Sequence, residues 1–365
     1  MNENKHISEA DVIAGHFNGG GYVFYRLPDA KTYTFISQQG RPEELAALDV
    51  SDRFSGVILA PFTVSSECPV ILIKPDYCAS NNYTTANAIS AGPQLYSDDS
   101  YARHDSYKRS FEECHRSLIE GHVGKIVLSR RMALQNTSDS PWNAIQLFHK
   151  ACQLYPHNYV SLWWTERTGC WLVATPETLI KKTEEEQWQT MALAGTMKWE
   201  ECCKLGFEKA WSQKNIEEQQ YVATYIEQRL IPYVGKMTTS PTYTSQSADL
   251  AHLHTDFTFS LKEGVRLGTL LQCLHPTPAV CGVPQEAARN AILHYEDSSR
   301  KYYAGFSGPI RLNGDSQLYV SLRCMEIAPK KALLYAGGGL LKDSKEEDEW
   351  TETQRKMRTM LNLFS

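Results

Sequence analysis

The chain has 365 residues, 42% hydrophobic and 22% charged, ordinary for a folded soluble protein and long enough for one large domain or two smaller ones. A formal net charge of −5 gives no basic footprint for nucleic acid or an anionic membrane surface, so neither is expected as a partner. Met1-Asn2-Glu3-Asn4-Lys5-His6 lacks a signal peptide's apolar core, no apolar run reaches transmembrane length, and ten cysteines lie scattered without C-x-x-C spacing, which together imply a cytoplasmic protein with free thiols and no structural zinc.

In chain order, Gly21–Arg26, Thr32–Ile36 and Gly56–Phe62 are alternating or continuous apolar runs that read as strands. Ser80 to Asp105 is polar and reads as a loop, Tyr107 to Gly121 has helical spacing, and Gly124–Arg130 reads as a strand leaving that helix. Further strands are expected at Tyr159–Trp164, Trp171–Ala174, Trp188–Ala194, Gln317–Met325 and Lys331–Ala336. Helices are expected at Trp142–Leu154, Trp211–Leu230, Leu261–Leu274, Glu286–Tyr295 and Ser344–Leu363, with Lys236 to Asp249 a polar connector. The mixture lacks a regular βαβ alternation, so the expected class is α+β with large, mainly antiparallel sheets.

Ala336-Gly337-Gly338-Gly339-Leu340 is a place where backbone can approach backbone or an anion. Ser344 and Glu347 have capping-box spacing, and on the helix that would follow, Glu349, Glu352 and Lys356 share a face. Glycines, carboxylates and an amine could hold a small anion together with a hard metal. On pattern alone a solvated face is the simpler reading, because Glu352 and Lys356 are also an ordinary i, i+4 surface pair.

Lys125 shares a strand face with Val127 and Ser129. It is either a lysine snorkelling at a strand end or, inside a closed cleft, a base of lowered pKa. Glu177 follows Thr175-Pro176, as a helix-starting carboxylate would; buried, it could instead be a general acid of raised pKa. Glu218 lies at the edge of an apolar helical stripe with Val222 and Tyr225, where a carboxylate needs a cation or a metal beside it. His275-Pro276-Thr277-Pro278-Ala279 is a rigid, turn-rich segment, and His252 and His254 share a strand face without an evident third ligand.

Taken in order, these segments resemble the chorismate-utilising enzymes, and within them the isochorismate synthases. The matching residues are Gly124–Arg130, Ala174–Glu177, Leu193–Thr196, Glu218, His252-Leu253, His275–Ala279, Arg300–Gly308, Arg323-Cys324, Ala336–Gly339 and Glu349–Thr353 with Lys356. The resemblance covers about residues 103–362, with residues 1–102 a variable part of the same fold. It implies two large sheets flanked by helices, a deep cleft, Mg²⁺, and chorismate as the small-molecule substrate. By resemblance, Lys125 is the base that activates water for attack at C2 and Glu177 the acid at the departing C4 hydroxyl. Glu218 and Glu352 are implied Mg²⁺ ligands. Gly195, Thr196, His275, Arg323, Gly337 and Lys356 form the implied substrate shell, and Glu349 gains no role and reads as surface.

Aminodeoxychorismate-forming relatives carry a lysine in the segment matching Pro276–Ala279, and anthranilate synthases a P-x-G-T-x-S-G-A-P type sequence there; this chain has neither. The implied activity is therefore isochorismate synthesis for menaquinone or siderophore production, by a monomer without a glutamine amidotransferase subunit. Salicylate synthesis, with pyruvate elimination, is the alternative within the family, and a non-catalytic chorismate-binding protein the alternative outside it. Met197-Lys198 departs from relatives that often have arginine after the Ala-Gly-Thr segment.

Overall fold

The computed structural model describes residues 12, 19–83, 95–97, 101–137, 141–183, 185–207, 209–247, 250–312, 314 and 316–365. Two antiparallel sheets dominate it. The first runs β16 (Gly282–Val283), β8 (Lys125–Asn136), β20 (Lys331–Leu340), β19 (Cys324–Ala328), β10 (Gly169–Thr175), β9 (Tyr159–Thr165), β1 (Gly21–Arg26), β2 (Thr32–Gln38) and β6 (Tyr77–Asn82), with β7 (Leu95–Ser97) also on β8. The second runs β13 (Val234–Thr239), β15 (Leu250–Leu261), β12 (Trp188–Lys198), β11 (Thr178–Lys182), β18 (Gln317–Val320), β17 (Phe306–Ile310), β4 (Gly56–Ala60), β5 (Val70–Ile73) and β3 (Glu43–Leu45), with β14 (Tyr243–Ser247) on β15. Strands from the described part of the first hundred residues enter both sheets.

The central strands of the first sheet are buried on both faces. Val23, Tyr25, Trp163 and Trp171 face the second sheet, whose Leu59, Phe306 and Tyr319 join the same core. Phe24, Phe35, Leu162 and Leu172, one position out of phase, pack with Phe148 and Ala151 of α2 (Ala144–Leu154) and with Met357 and Met360 of α7 (Glu346–Leu361). Double burial explains why these strands read as continuous apolar runs. Helices α1 (Tyr101–Ile119) and α6 (Gln285–Tyr295) lie against β8, and α3 (Trp199–Leu205) and α4 (Gln213–Leu230) lie against β12. Asn143 caps α2 by accepting from Ile145 and Gln146 N–H, both at 3.1 Å, and Ser212 caps α4 through the Asn215 N–H.

Several expectations are corrected. Lys236 to Asp249 is not a connector: β13 and β14 occupy most of it, and its polarity reflects edge strands exposed on both faces. Leu261 ends β15, a turn at Gly264 (φ +78°) intervenes, and α5 spans only Leu267–Leu274. Within Ser80 to Asp105, Ser80–Asn82 belong to β6 and the helix begins at Tyr101, while residues 84–94 and 98–100 lie outside the described residues. Ser344 and Glu347 form no capping box. Lys345 is the N-cap of α7, and the Ser344 hydroxyl instead donates to the Glu349 carboxylate at 2.8 Å. The run Gln317–Met325 is two strands in different sheets, because apolar periodicity does not reveal which of two buried sheets a residue enters.

Candidate active site

The chain passes between the sheets twice at one place. From β10 it crosses through Pro176-Glu177 into β11, and from β18 it returns through Ser321-Leu322-Arg323 into β19. The crossings are bonded together: Val320 N–H donates to the Glu177 carbonyl and Ala174 N–H to the Arg323 carbonyl, both at 3.0 Å. Arg323 turns in the left-handed region (φ +47°), a conformation that costs a non-glycine residue about 1–2 kcal/mol. Both side chains line a cleft, together with Gly195, Thr196, Glu218, Gly337 and Lys356.

Its floor is β20, paired in register with β8, so that Gly337, Gly338 and Gly339 stand opposite Ser129, Leu128 and Val127. None of the three glycines has positive φ, so here the residue provides space rather than an unusual turn. A Cβ on Gly339 would stand 2.0 Å from Glu218 Oε1 and 3.0 Å from Lys125 Cε, and one on Gly338 would stand 2.8 Å from Glu349 Oε2. Carboxylates from α4 and α7 thus lie directly on bare backbone. Lys125 begins β8, is fully buried, and places Nζ 3.1 Å from Glu218 Oε1. Glu218 Oε2 accepts from the Gly195 N–H at 3.3 Å.

On α7, Glu352 accepts from Lys356 Nζ at 2.7 Å, and Lys356 also donates to the Gly337 carbonyl at 2.8 Å. Burial would raise the Glu352 pKa, but Lys356 and Lys214 outweigh it and hold that carboxyl below its ordinary value. Glu349, read from sequence as surface, is only 1% exposed and pairs with Lys214 and Ser344. Burial, then the Glu352 charge, push its pKa to about 7 against the pull of Lys214 and Ser344.

Glu177 is 3% exposed, and burial raises its pKa from 4.5 to about 7, although Lys125, Lys356 and Arg323 pull it back. A carboxyl of this kind holds its proton near neutrality and can give it up.

His252 and Tyr303 also line the cleft and were not singled out for it by sequence. The Gly195 carbonyl, 2.8 Å from His252 Nδ1, can only accept, so Nδ1 bears the hydrogen and bare Nε2 faces Arg323 Nη2 at 3.4 Å. Burial first, then Arg323, lower the His252 pKa to about 3, keeping the ring neutral. The signal was its alternation on β15 with His254, whose own ring bonds Asp256 instead. His275 does not line the cleft: its Nε2 donates to the Pro61 and Phe62 carbonyls at 3.0 and 3.2 Å. The rigid segment presents Ala279 to the cleft and uses its histidine for anchoring.

Mg²⁺ prefers one or two carboxylates with the remaining positions filled by water and substrate oxygen. Among the described residues no three His, Cys, Asp or Glu side chains form a ready cage. Glu218 and Glu352 nonetheless approach neighbouring glycines of the run, Glu218 at Gly339 and Glu352 at Gly338, and the buried Glu349 Oε2 has no hydrogen-bond partner. This all-oxygen donor set fits a hard divalent cation.

The family model for chorismate binding enzymes matches residues 73–365. The chain belongs to the chorismate binding enzymes. Over 258 residues it is 33% identical to a Pseudomonas aeruginosa protein named salicylate biosynthesis isochorismate synthase, a match covering 68% of this chain and 52% of that protein. It is 32% identical over 273 residues to the isochorismate synthase DhbC of Bacillus subtilis, covering 71% of this chain and 68% of the relative. The match thus spans about half the length of the Pseudomonas relative. The menaquinone-specific isochorismate synthase MenF of Escherichia coli superposes with a TM-score of 0.80 at 21% identity, covering 98% of this chain and 91% of MenF. Anthranilate synthase component I of Streptococcus pneumoniae superposes at 0.68 with 15% identity, covering 99% and 95%. The fold is that of the chorismate-utilising enzymes.

Proposed function

We propose that this chorismate binding enzyme converts chorismate to isochorismate. The observation that carries the reading is Glu177, a buried carboxyl with its pKa at about 7, placed within the electrostatic reach of Lys125. Lys125 takes a proton from the water that adds at C2. Glu177 gives its proton to the hydroxyl leaving C4, and the ring double bonds shift to accommodate both changes. Arg323 and Lys356 are the cations for the substrate carboxylates, and Gly195, Thr196, Gly337 and neutral His252 shape the walls around the ring. Glu218 and Glu352 would hold Mg²⁺, which when bound supplies positive charge to a substrate carboxylate. His275 supports the site from outside the cleft.

Two further readings accompany this one. Ten free thiols support work in the reducing cytoplasm, and no described helix is long and apolar enough to cross a membrane. Water as the nucleophile removes any need for an ammonia-supplying amidotransferase subunit, and we propose that the chain acts as a monomer.

The test is product identification after incubation of the purified protein with chorismate, with and without Mg²⁺. Isochorismate formed only with Mg²⁺ is the expected result. Salicylate with pyruvate would instead make it a salicylate synthase, and anthranilate or unconsumed chorismate would overturn the reading.

A further inference from the structure

Among the described residues, the strand that carries Lys125 has an incomplete outer edge. On the β20 side β8 is paired continuously from Ile126 to Gln135. On the other side, among the described residues, β16 covers only Lys125 and Ile126, and β7 covers only Leu134 to Asn136. β16 is followed at once by Pro284, which has no N–H to offer a ladder. Val127 and Ser129, which share the Lys125 face, therefore need partners for their outward backbone groups from elsewhere.

Those partners are Cys281 and one buried ion pair. The Val127 N–H donates to the Cys281 carbonyl at 2.7 Å. The Val127 carbonyl accepts from Arg300 Nη2 at 2.7 Å, and the Ser129 N–H donates to Glu296 Oε1 at 2.7 Å. Arg300 and Glu296 grip each other in a two-pronged contact, Nε to Oε2 at 2.8 Å and Nη2 to Oε1 at 2.5 Å. Their side chains are 3% and 4% exposed. Arg300 Nη1 donates to the Val280 carbonyl at 2.7 Å, next to the cleft-lining Ala279. The guanidinium lies over the Phe62 ring at 4.4 Å, on the turn that His275 anchors.

We infer that Arg300, braced by Glu296, is a positioning residue for Lys125: the ion pair stands in for a missing β-strand along residues 127–129. A buried pair of this kind is a poor way to add stability, because desolvating two charges offsets most of their attraction. It does fix geometry, since a planar guanidinium reaches four acceptor positions in one plane and an ammonium does not. Lys125 lies two residues before Val127 on the same face, so a strand edge that frays at Val127 lets the amine drift from Glu218. The histidine that misses the cleft belongs to the same brace through Phe62.

The inference rests on Lys125 being the base of the proposed reaction, and the test separates the two. Arg300→Lys keeps the charge but cannot serve Glu296, Val127 and Val280 together. Its kcat is expected to fall about 10²-fold with the KM for chorismate within about threefold, the signature of a misaimed group rather than lost binding. Glu296→Gln, which keeps an acceptor for the Ser129 N–H, should retain more of kcat than Glu296→Leu. The double variant Glu296→Leu/Arg300→Met leaves no unpaired buried charge, so it should recover stability relative to either single truncation without recovering kcat. Amide hydrogen exchange over residues 125–131, which needs no substrate, should show protection in the parent protein and its loss in Arg300→Lys. Unchanged exchange protection, unchanged kcat, or a kcat restored along with stability in the double variant would overturn the positioning role. Parent protein that makes no isochorismate overturns the base assignment, and exchange then decides the strand-edge role alone.

Discussion

Glu177 and Arg323 reach the same cleft from two chain crossings that are hydrogen-bonded to each other, Val320 N–H to the Glu177 carbonyl and Ala174 N–H to the Arg323 carbonyl. A buried carboxyl and a cation are thereby held at a fixed spacing by backbone, in a place where both sheets anchor the chain. Their side chains differ in what they owe to this setting: Glu177 its raised pKa, Arg323 its strained φ.

The Glu177 carboxyl rises from 4.5 to about 7 on folding, so turnover that uses its proton should fall as pH rises through about 7. The stability sign follows from the same shift. The folded state holds this proton more tightly than the unfolded chain, so the contribution is full below about pH 4.5 and is lost as pH rises through about 7. Glu177→Gln should lower kcat about 10²–10⁴-fold. In thermal melts without ligand, its Tm should also decline less than that of the parent between acidic and neutral pH.

Arg323→Gly removes the guanidinium and relieves the left-handed backbone. A charged hydrogen bond of about 1.5–3 kcal/mol corresponds to roughly 10–100-fold, so the KM for chorismate should rise by that order while Tm holds or increases. Steady-state kinetics and a melt on the same preparation check both halves. A KM unchanged from the parent would remove Arg323 from the substrate shell.

Lys125→Ala should lower kcat by about 10²–10⁴-fold with circular dichroism unchanged. Retention of most activity would show that another group takes the proton.

Glu352→Gln keeps the shape of the side chain and a hydrogen-bond acceptor for Lys356 while removing the charge. The Mg²⁺ concentration giving half-maximal activity should rise at least about 10-fold. An unaltered Mg²⁺ titration would take Glu352 out of the metal site.

Gly339→Ala places a methyl where Glu218 Oε1 and Lys125 Cε lie, at 2.0 and 3.0 Å. The first obstacle is a carboxylate end rather than backbone, so the sheet should survive and Glu218 should move. Turnover falling about 10²-fold, with weakened Mg²⁺ response and a cooperative melt, is the expected result.

Much of this was legible in the sequence because apolar periodicity tracks burial. The strands at Tyr159 and Trp188 begin where they were expected, and the strand expected from Gly124 and the helix expected from Glu286 each start one residue away, at Lys125 and Gln285. Glu349 was misread for a physical reason. The rule that a helix buries its apolar stripe assumes that the surface it meets has side chains, whereas this part of α7 meets Gly338, and the space left there is filled by carboxylates. His275 sits in a segment that does contribute to the cleft, but its ring turns the other way, toward the Pro61 and Phe62 carbonyls, and no local pattern encodes that choice. Arg323 was expected inside a continuous strand, and only its positive φ marks the break.

The bare floor of the cleft has a thermodynamic corollary. Glycine has no rotamers, so a ligand settling on Gly337 and Gly339 freezes none, and that wall takes up its bound form before anything arrives. On the function proposed above, whatever ordering binding demands falls on the long cationic chains of Arg323 and Lys356. Of these, Lys356 is already tethered at both Glu352 and the Gly337 carbonyl. Affinity in this enzyme is then limited less by the loss of motion than by how readily two cations leave their resident partners for a newcomer.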